Sequence, residues 1–287
     1  KDGEHLSKVT YQAANIGWNA DYTLVTSKDD KRVDLSAWVT VTNNTGAGYD
    51  NAELKLVAGD VHRVTAQAGR EVDMMAAKGA MAKEKVAGFE EKGFFEYHLY
   101  TLKRKTTIPN VSIKQIELFS PVDNIPAKKV FVYDGSKGRY YYGYLNQDQN
   151  FGITSNKKVD IYIEFDNKKD VGLGIPLPAG RIRVYKKDEQ DGSLEFIGED
   201  RIDHTPKNEI VRLMLGNAFD IVAERRQTDF KIDTRGHWIK ESFEIKVKNR
   251  KDEDVEVLVK EGMYRWSNWE ILESNNNYKK LDAWTVH

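Results

Sequence analysis

Two histidines sit among groups that could share chemistry with them. His98 lies in the run Glu96-Tyr97-His98-Leu99-Tyr100. In an extended strand a period of two puts Glu96, His98 and Tyr100 on one side. A carboxylate, an imidazole and a phenol on one face could seat a metal ion or form an acid–base pair. A histidine hydrogen-bonded across a sheet accounts for the same residues, and a metal site needs three or four converging ligands. His204 ends the run Glu199-Asp200-Arg201-Ile202-Asp203-His204. Asp200, Asp203 and His204 are its candidate metal ligands, able to hold a hard cation or act on a substrate. Asp203-His204-Thr205-Pro206 also reads as a polar turn after a strand. Asp188, Asp191 and Gly192 resemble part of a calcium loop, but the acidic ligand that closes such a loop is missing. A hairpin turn at Asp191-Gly192 is the better account.

Aromatic residues offer a different chemistry. Tyr140, Tyr142 and Tyr144 fall on one side of a strand, with Tyr141 opposite. A tyrosine presents a flat apolar face and a polar tip, suited to stacking on sugar rings or packing at an interface; a core-facing side explains the same spacing. The six tryptophans, Trp18, Trp38, Trp238, Trp266, Trp269 and Trp284, are expected to fill cores. Residues 172–180 (GLGIPLPAG) are rich in Gly and Pro, but no helix follows, so they do not form a phosphate loop. No Gly-x-Ser-x-Gly elbow is present. With no Cys, thiol nucleophiles, disulfides and Cys-based metal sites are excluded. No catalytic residue is assigned and no cofactor is expected.

The balance of charge narrows the partners. The 287 residues carry 44 Lys and Arg against 45 Asp and Glu, a net charge of −1, which argues against a general nucleic-acid binder. Apolar residues at 40% and charged residues at 31% describe a globular chain. The length favours two domains. No apolar run approaches the ~18 residues of a membrane span.

The elements that would position these groups are strands. Residues 93–121 read as two strands joined at 106–110, with Tyr97 and Leu99 expected in the core. Residues 32–42 (RVDLSAWVTVT) alternate, with Val33, Leu35, Ala37, Val39 and Val41 on one face. Residues 70–92 are richer in Ala, Met, Lys and Glu, and Met75, Ala82, Val86 and Phe89 follow helical spacing, so a partly helical insertion is expected there. Residues 121–126 (PVDNIP) read as a domain boundary. Short strands separated by Gly, Asn and Asp turns fill the remainder, including 159–165 (VDIYIEF). The fold class is therefore all-β. It comprises a first β-sandwich-like domain over 1–121, interrupted by the insertion, and a second over 128–287.

Several separate motifs resemble one family. They are Trp18–Tyr22 (WNADY), 40–46 (TVTNNTG), 96–102 (EYHLYTL) with Lys114-Gln115, 176–184 (PLPAGRIRV), 196–200 (FIGED), His204-Thr205-Pro206 and Asn249-Arg250-Lys251. In this order they resemble the domain of unknown function 4139 family, a mainly bacterial group. The resemblance implies β-rich domains and an often exported protein with extra sequence before Lys1. It implies no activity, so it transfers no catalytic residue.

The expectation is a non-enzymatic extracytoplasmic protein working by binding or self-assembly. Its partners would be a glycan, an envelope protein or further copies of itself. A carbohydrate-binding module using Tyr140, Tyr142 and Tyr144 is one alternative, and a hydrolase built on carboxylates and His204 is another. Residues 280–287 alternate like a last, incomplete strand, with Leu281, Ala283 and Thr285 on one side and Asp282, Trp284 and Val286 on the other. An open edge there, with Trp284 and Val286 as contacts, would let another chain add a strand and build a homo-oligomer or filament.

Overall fold

The computed structural model describes residues 6–59, 82–84, 88–136, 146–153, 155–188, 190–235 and 237–287. It is nearly all β, with 59% of residues in strands and 1% helical. The strands run in chain order as β1 Ile16–Thr26, β2 Arg32–Asn43, β3 Tyr49–Ala52, β4 Lys55–Ala58 and β5 Ala82–Glu84. Next come β6 Phe89–Phe94, β7 Tyr97–Leu102, β8 Thr106–Ile108, β9 Ser112–Asp134 and β10 Lys158–Asp166. The series ends with β11 Gly180–Lys187, β12 Leu194–Ile202, β13 Ile210–Asp233, β14 Trp238–Asn249, β15 Val257–Gly262 and β16 Thr285–Val286. The helical content is a single 3-10 turn at Lys169–Val171. No helix among the described residues is long and apolar enough to cross a membrane.

The chain divides into two units, one comprising Lys1–Pro126 and Asp166–Val211, the other Ala127–Phe165 and Arg212–His287. In the first, strands lie in the order β12-β11-β1-β2-β9. β1 pairs antiparallel with β2 and parallel with β11. Alternation buries one side of four of these strands: Ala20, Tyr22 and Leu24 of β1, Val33, Leu35, Ala37, Val39 and Val41 of β2, Ile116 and Leu118 of β9, and Ile182 and Val184 of β11. Each buried Val, Leu or Ile among them contributes ~1.5–3 kcal/mol. Gly180 lets β11 approach β1, because any Cβ there would meet the Ala20 carbonyl. Two buried phenols latch the chain just before β11: Tyr22 donates to the Pro178 carbonyl at 2.7 Å and Tyr100 to the Pro176 carbonyl at 2.8 Å. Burial raises the pKa of both above the ordinary 10.0.

The second unit packs Phe131 and Tyr133 of β9, Val159 of β10, and Ile221 and Ala223 of β13 into a core. Here β9 runs antiparallel to β10 and parallel to β15, and β13 pairs antiparallel with β14. The Arg225 side chain is wholly buried (0% exposed) against Glu261. Its Nε lies 2.9 and 2.8 Å from the two Glu261 oxygens, and its guanidinium sits 3.6 Å from the Phe243 ring centroid. Burial alone would lower the Arg225 pKa, but the hydrogen bonds and charge of Glu261 raise it above its ordinary value. Arg265 lies alongside, its Nε 2.7 Å from Glu241. Its Nη1 donates to the carbonyls of Asn146 and Asp148, each at 2.8 Å, and its Nη2 to that of Phe151 at 3.1 Å. Two side-chain-to-backbone turns curl that loop, Asp148 N–H to Asn146 Oδ1 and Asn150 N–H to Asp148 Oδ1, both at 2.9 Å. A guanidinium thus fills the ring of inward carbonyls.

Several expectations change. Residues 166–211 belong to the first unit rather than to a second domain, because β11 pairs with β1 and so brings the chain back. Of the insertion read as partly helical, Met75 and Val86 lie outside the described residues. Its described parts are strand: Ala82–Glu84 pairs parallel with β9, and Phe89 opens β6. Tyr97 and Leu99 are only half-buried, whereas Tyr100 and Leu102 on the opposite face are buried at 3% and 4%. Both sides of YHLYTL are apolar enough to serve as core, so alternation there does not choose between them.

Candidate binding face

One side of the first unit's sheet is core; the other carries rows of charged, polar and aromatic side chains. Cross-strand register fixes who stands beside whom. Arg201 is opposite Arg181, which is beside Asp21; Asp21 is opposite Trp38, and Trp38 is opposite Glu117. A second row runs Glu199, Arg183, Thr23 and Ser36, and a third Phe196, Tyr185 and Val25. At the other end Asn19 is opposite Thr40 and Thr40 opposite Gln115. These are the alternate residues left over once Tyr22, Val39, Ile116 and Ile182 turn inward. The face therefore follows from the same period that builds the core.

The side chains hold one another in place. Thr40 Oγ1 donates to Asp21 Oδ2 at 2.8 Å, and Gln115 Nε2 donates to Thr40 Oγ1 at 3.3 Å. Arg183 Nε lies 3.5 Å from Glu199, whose same oxygen is 3.9 Å from Arg181 Nη1. The Tyr185 ring meets Phe196 edge-on, with centroids 5.8 Å apart. Most of these residues, Trp38 and Tyr185 included, are half-buried, so they expose part of each ring and each polar group. Arg181, Glu199, Asp200 and Arg201 line a shallow depression of about 220 Å³, below the ~300–1,000 Å³ of an enclosed ligand pocket. Five strands at ~4.8 Å spacing make the face roughly 20 Å wide. Such a surface suits an extended ligand that lies flat, with rings to stack on and alternating donors and acceptors.

Asp200, Asp203 and His204 lie near one end of this sheet without forming a ligand set. His204 Nδ1 accepts the Ala179 N–H at 3.1 Å, and Asp200 accepts the Arg201 N–H at 2.8 Å. Among the described residues no group of three or more His, Asp or Glu is placed to hold a metal ion. His98 pairs across strands with Glu91, Nδ1 to Oε1 at 2.7 Å, and not with Glu96. Asp188 and Asp191 cap the β11–β12 hairpin, accepting from Gln190 at 2.7 Å and Ser193 at 2.8 Å. Tyr140, Tyr142 and Tyr144 lie outside the described residues. Trp284 is half-buried and Val286 is buried at 5%. The 280–287 stretch is not one strand: only Thr285–Val286 pairs with β15, and Lys280 turns back to bridge Val286.

Sequence reasoning placed Trp38 in the core. Its parity in RVDLSAWVTVT, opposite to Val33, Leu35, Ala37, Val39 and Val41, already put it on the outer side. Trp238 and Trp266 also stand out, at 47% and 38% exposure.

The family model for the domain of unknown function DUF4139 matches residues 7–271. The chain belongs to that family. No curated protein and no solved structure matches it.

Proposed function

We propose that this member of the family is a non-enzymatic extracytoplasmic protein that works by binding, and that the outer face of its first unit takes a glycan chain. The observation that carries this reading is the pairing of two half-buried aromatic rings, Trp38 and Tyr185, with the polar rows Arg201–Arg181–Asp21–Glu117 and Asn19–Thr40–Gln115 on one face of the sheet. Sugar rings present an apolar face and equatorial hydroxyls, which such a surface meets with stacking and hydrogen bonds. Export is supported by the family resemblance. In this reading each unit is a β-sandwich-like scaffold and the insertion is an appendage of the first. Binding of the intact protein to an oligosaccharide array tests the proposal. Trp38→Ala and Tyr185→Ala should each weaken binding about tenfold, ~1.4 kcal/mol. Binding that ignores both substitutions, or no binding to any glycan, overturns it.

A further inference from the structure

An open strand edge carries unspent hydrogen-bonding capacity. The terminal strand β16 has little to offer. β15 covers one side, through Glu261 and Gly262, and on the other Lys279 and His287 exchange both backbone hydrogen bonds, at 2.7 and 2.9 Å. Two other strands differ. β12 ends the strand order of the first unit and β14 that of the second, and among the described residues no strand pairs with the outer edge of either. Both are lined with apolar side chains that water reaches. Leu194 and Phe196 of β12 are 52% and 55% exposed, and Trp238 and Val247 of β14 are 47% and 38% exposed.

Charge decides which edge suits which. β12 carries Glu195, Glu199 and Asp200 against Arg201 alone; β14 carries Lys240, Lys246 and Lys248 against Glu241 and Glu244. Two β12 edges would set carboxylate against carboxylate, and two β14 edges lysine against lysine. Each strand therefore disfavours its own kind and matches the other. We propose that β12 of one copy pairs with β14 of a second copy, joining molecules head to tail by strand addition. Such a contact is heterologous, so repetition gives a ring or an open filament. The bulge where Val184 faces Gly198 and Tyr185 faces Phe196 leaves Ile197 as the extra residue and bends the edge there. It divides the pairing run into two short segments, which keeps the contact reversible.

The test is the mass of the intact chain in solution, by sedimentation and light scattering, from micromolar to millimolar concentration at low and high salt. The unaltered protein should rise past twice the monomer mass with concentration and fall back with salt. Leu194→Lys with Glu195→Lys makes β12 basic, and Lys246→Glu with Lys248→Glu makes β14 acidic. Each pair of changes alone should give a monomer with an unchanged far-UV spectrum. A one-to-one mixture of the two variants should reassemble, because each restores opposite charge at both junctions. A monomeric parent at every concentration, assembly indifferent to both variants, or a mixture that stays monomeric overturns the proposal. Trp38→Ala should leave assembly unchanged, which separates this contact from glycan binding.

Discussion

The outer face of the first unit and the arginine lattice of the second use the same ingredients to opposite ends. Both set arginines beside carboxylates and aromatic rings. In the lattice, Arg225 is wholly buried, meets both Glu261 oxygens and lies over Phe243, and Arg265 sets its charge beside Glu241 while its Nη1 and Nη2 donate to three loop carbonyls. Both side chains are shielded from solvent, at 0% and 8% exposure, so the lattice offers little to a ligand. On the face, Arg183 and Arg181 share one Glu199 oxygen at 3.5 and 3.9 Å, and the side chains of both arginines are about 40% exposed. Ion pairs of that kind contribute ~0–1 kcal/mol to stability and can exchange partners readily. Burial and the number of fixed partners, more than residue type, separate an arginine that holds a fold from one that can recognise something.

Substitutions should divide along that line. Arg225→Met should have the largest effect, because it strands the Glu261 carboxylate without its partner; removing one member of a buried pair costs ~3–5 kcal/mol. Urea unfolding measures it, and a loss below about 1 kcal/mol would mean the lattice is ornamental. Alkaline pH should come next. Tyr22 and Tyr100 have folded-state pKa values above 10.0 because burial disfavours the phenolate, while in the unfolded chain both titrate near 10.0. The unfolded state then loses protons that the folded state keeps, so stability is full below about pH 10 and falls as pH rises above it. Tyr22→Phe should flatten that fall, at the loss of roughly 1 kcal/mol for the hydrogen bond to Pro178. An identical alkaline profile in the variant would show that other groups govern it.

Arg265→Lys should act more locally. A lysine keeps the charge near Glu241 but cannot span the carbonyls of Asn146, Asp148 and Phe151 together. Amide exchange over residues 146–152 should speed up several-fold, while β13 and β14 keep their protection. Uniform protection throughout would say the loop holds itself. Trp38→Ala should cost least in stability, below roughly 1 kcal/mol, because the ring lies on the outer side of the sheet. A loss in the 3–5 kcal/mol range of a buried tryptophan would return Trp38 to the core.

What could be read in the sequence depended on how clearly the two faces of a strand differ. RVDLSAWVTVT alternates apolar with polar residues, so β2 and its buried face were legible. YHLYTL offers apolar residues on both sides, and the wrong side was chosen for Tyr97 and Leu99. The return of residues 166–211 to the first unit rests on a parallel pairing between strands more than 150 positions apart, Ala20 with Gly180, which no local pattern reports. The proposed binding face had the same obstacle. Asp21, Trp38, Gln115 and Arg181 are neighbours only through register, and each alone looks like an ordinary strand residue. Proximity in sequence did not gather ligands: Asp200, Asp203 and His204 are close along the chain, yet Asp200 accepts from the Arg201 N–H and His204 from the Ala179 N–H.

The proposed ligand surface is the face around Trp38. The most direct measurement is the indole N–H resonance of Trp38, assigned by comparison with Trp38→Phe and followed during titration with the oligosaccharide that binds most tightly on the array. This signal should shift and saturate with the binding curve, while those of Trp238 and Trp266 stay in place. A Trp38 signal that does not move while the ligand binds, with the changes falling on Tyr140, Tyr142 and Tyr144 instead, would contradict it.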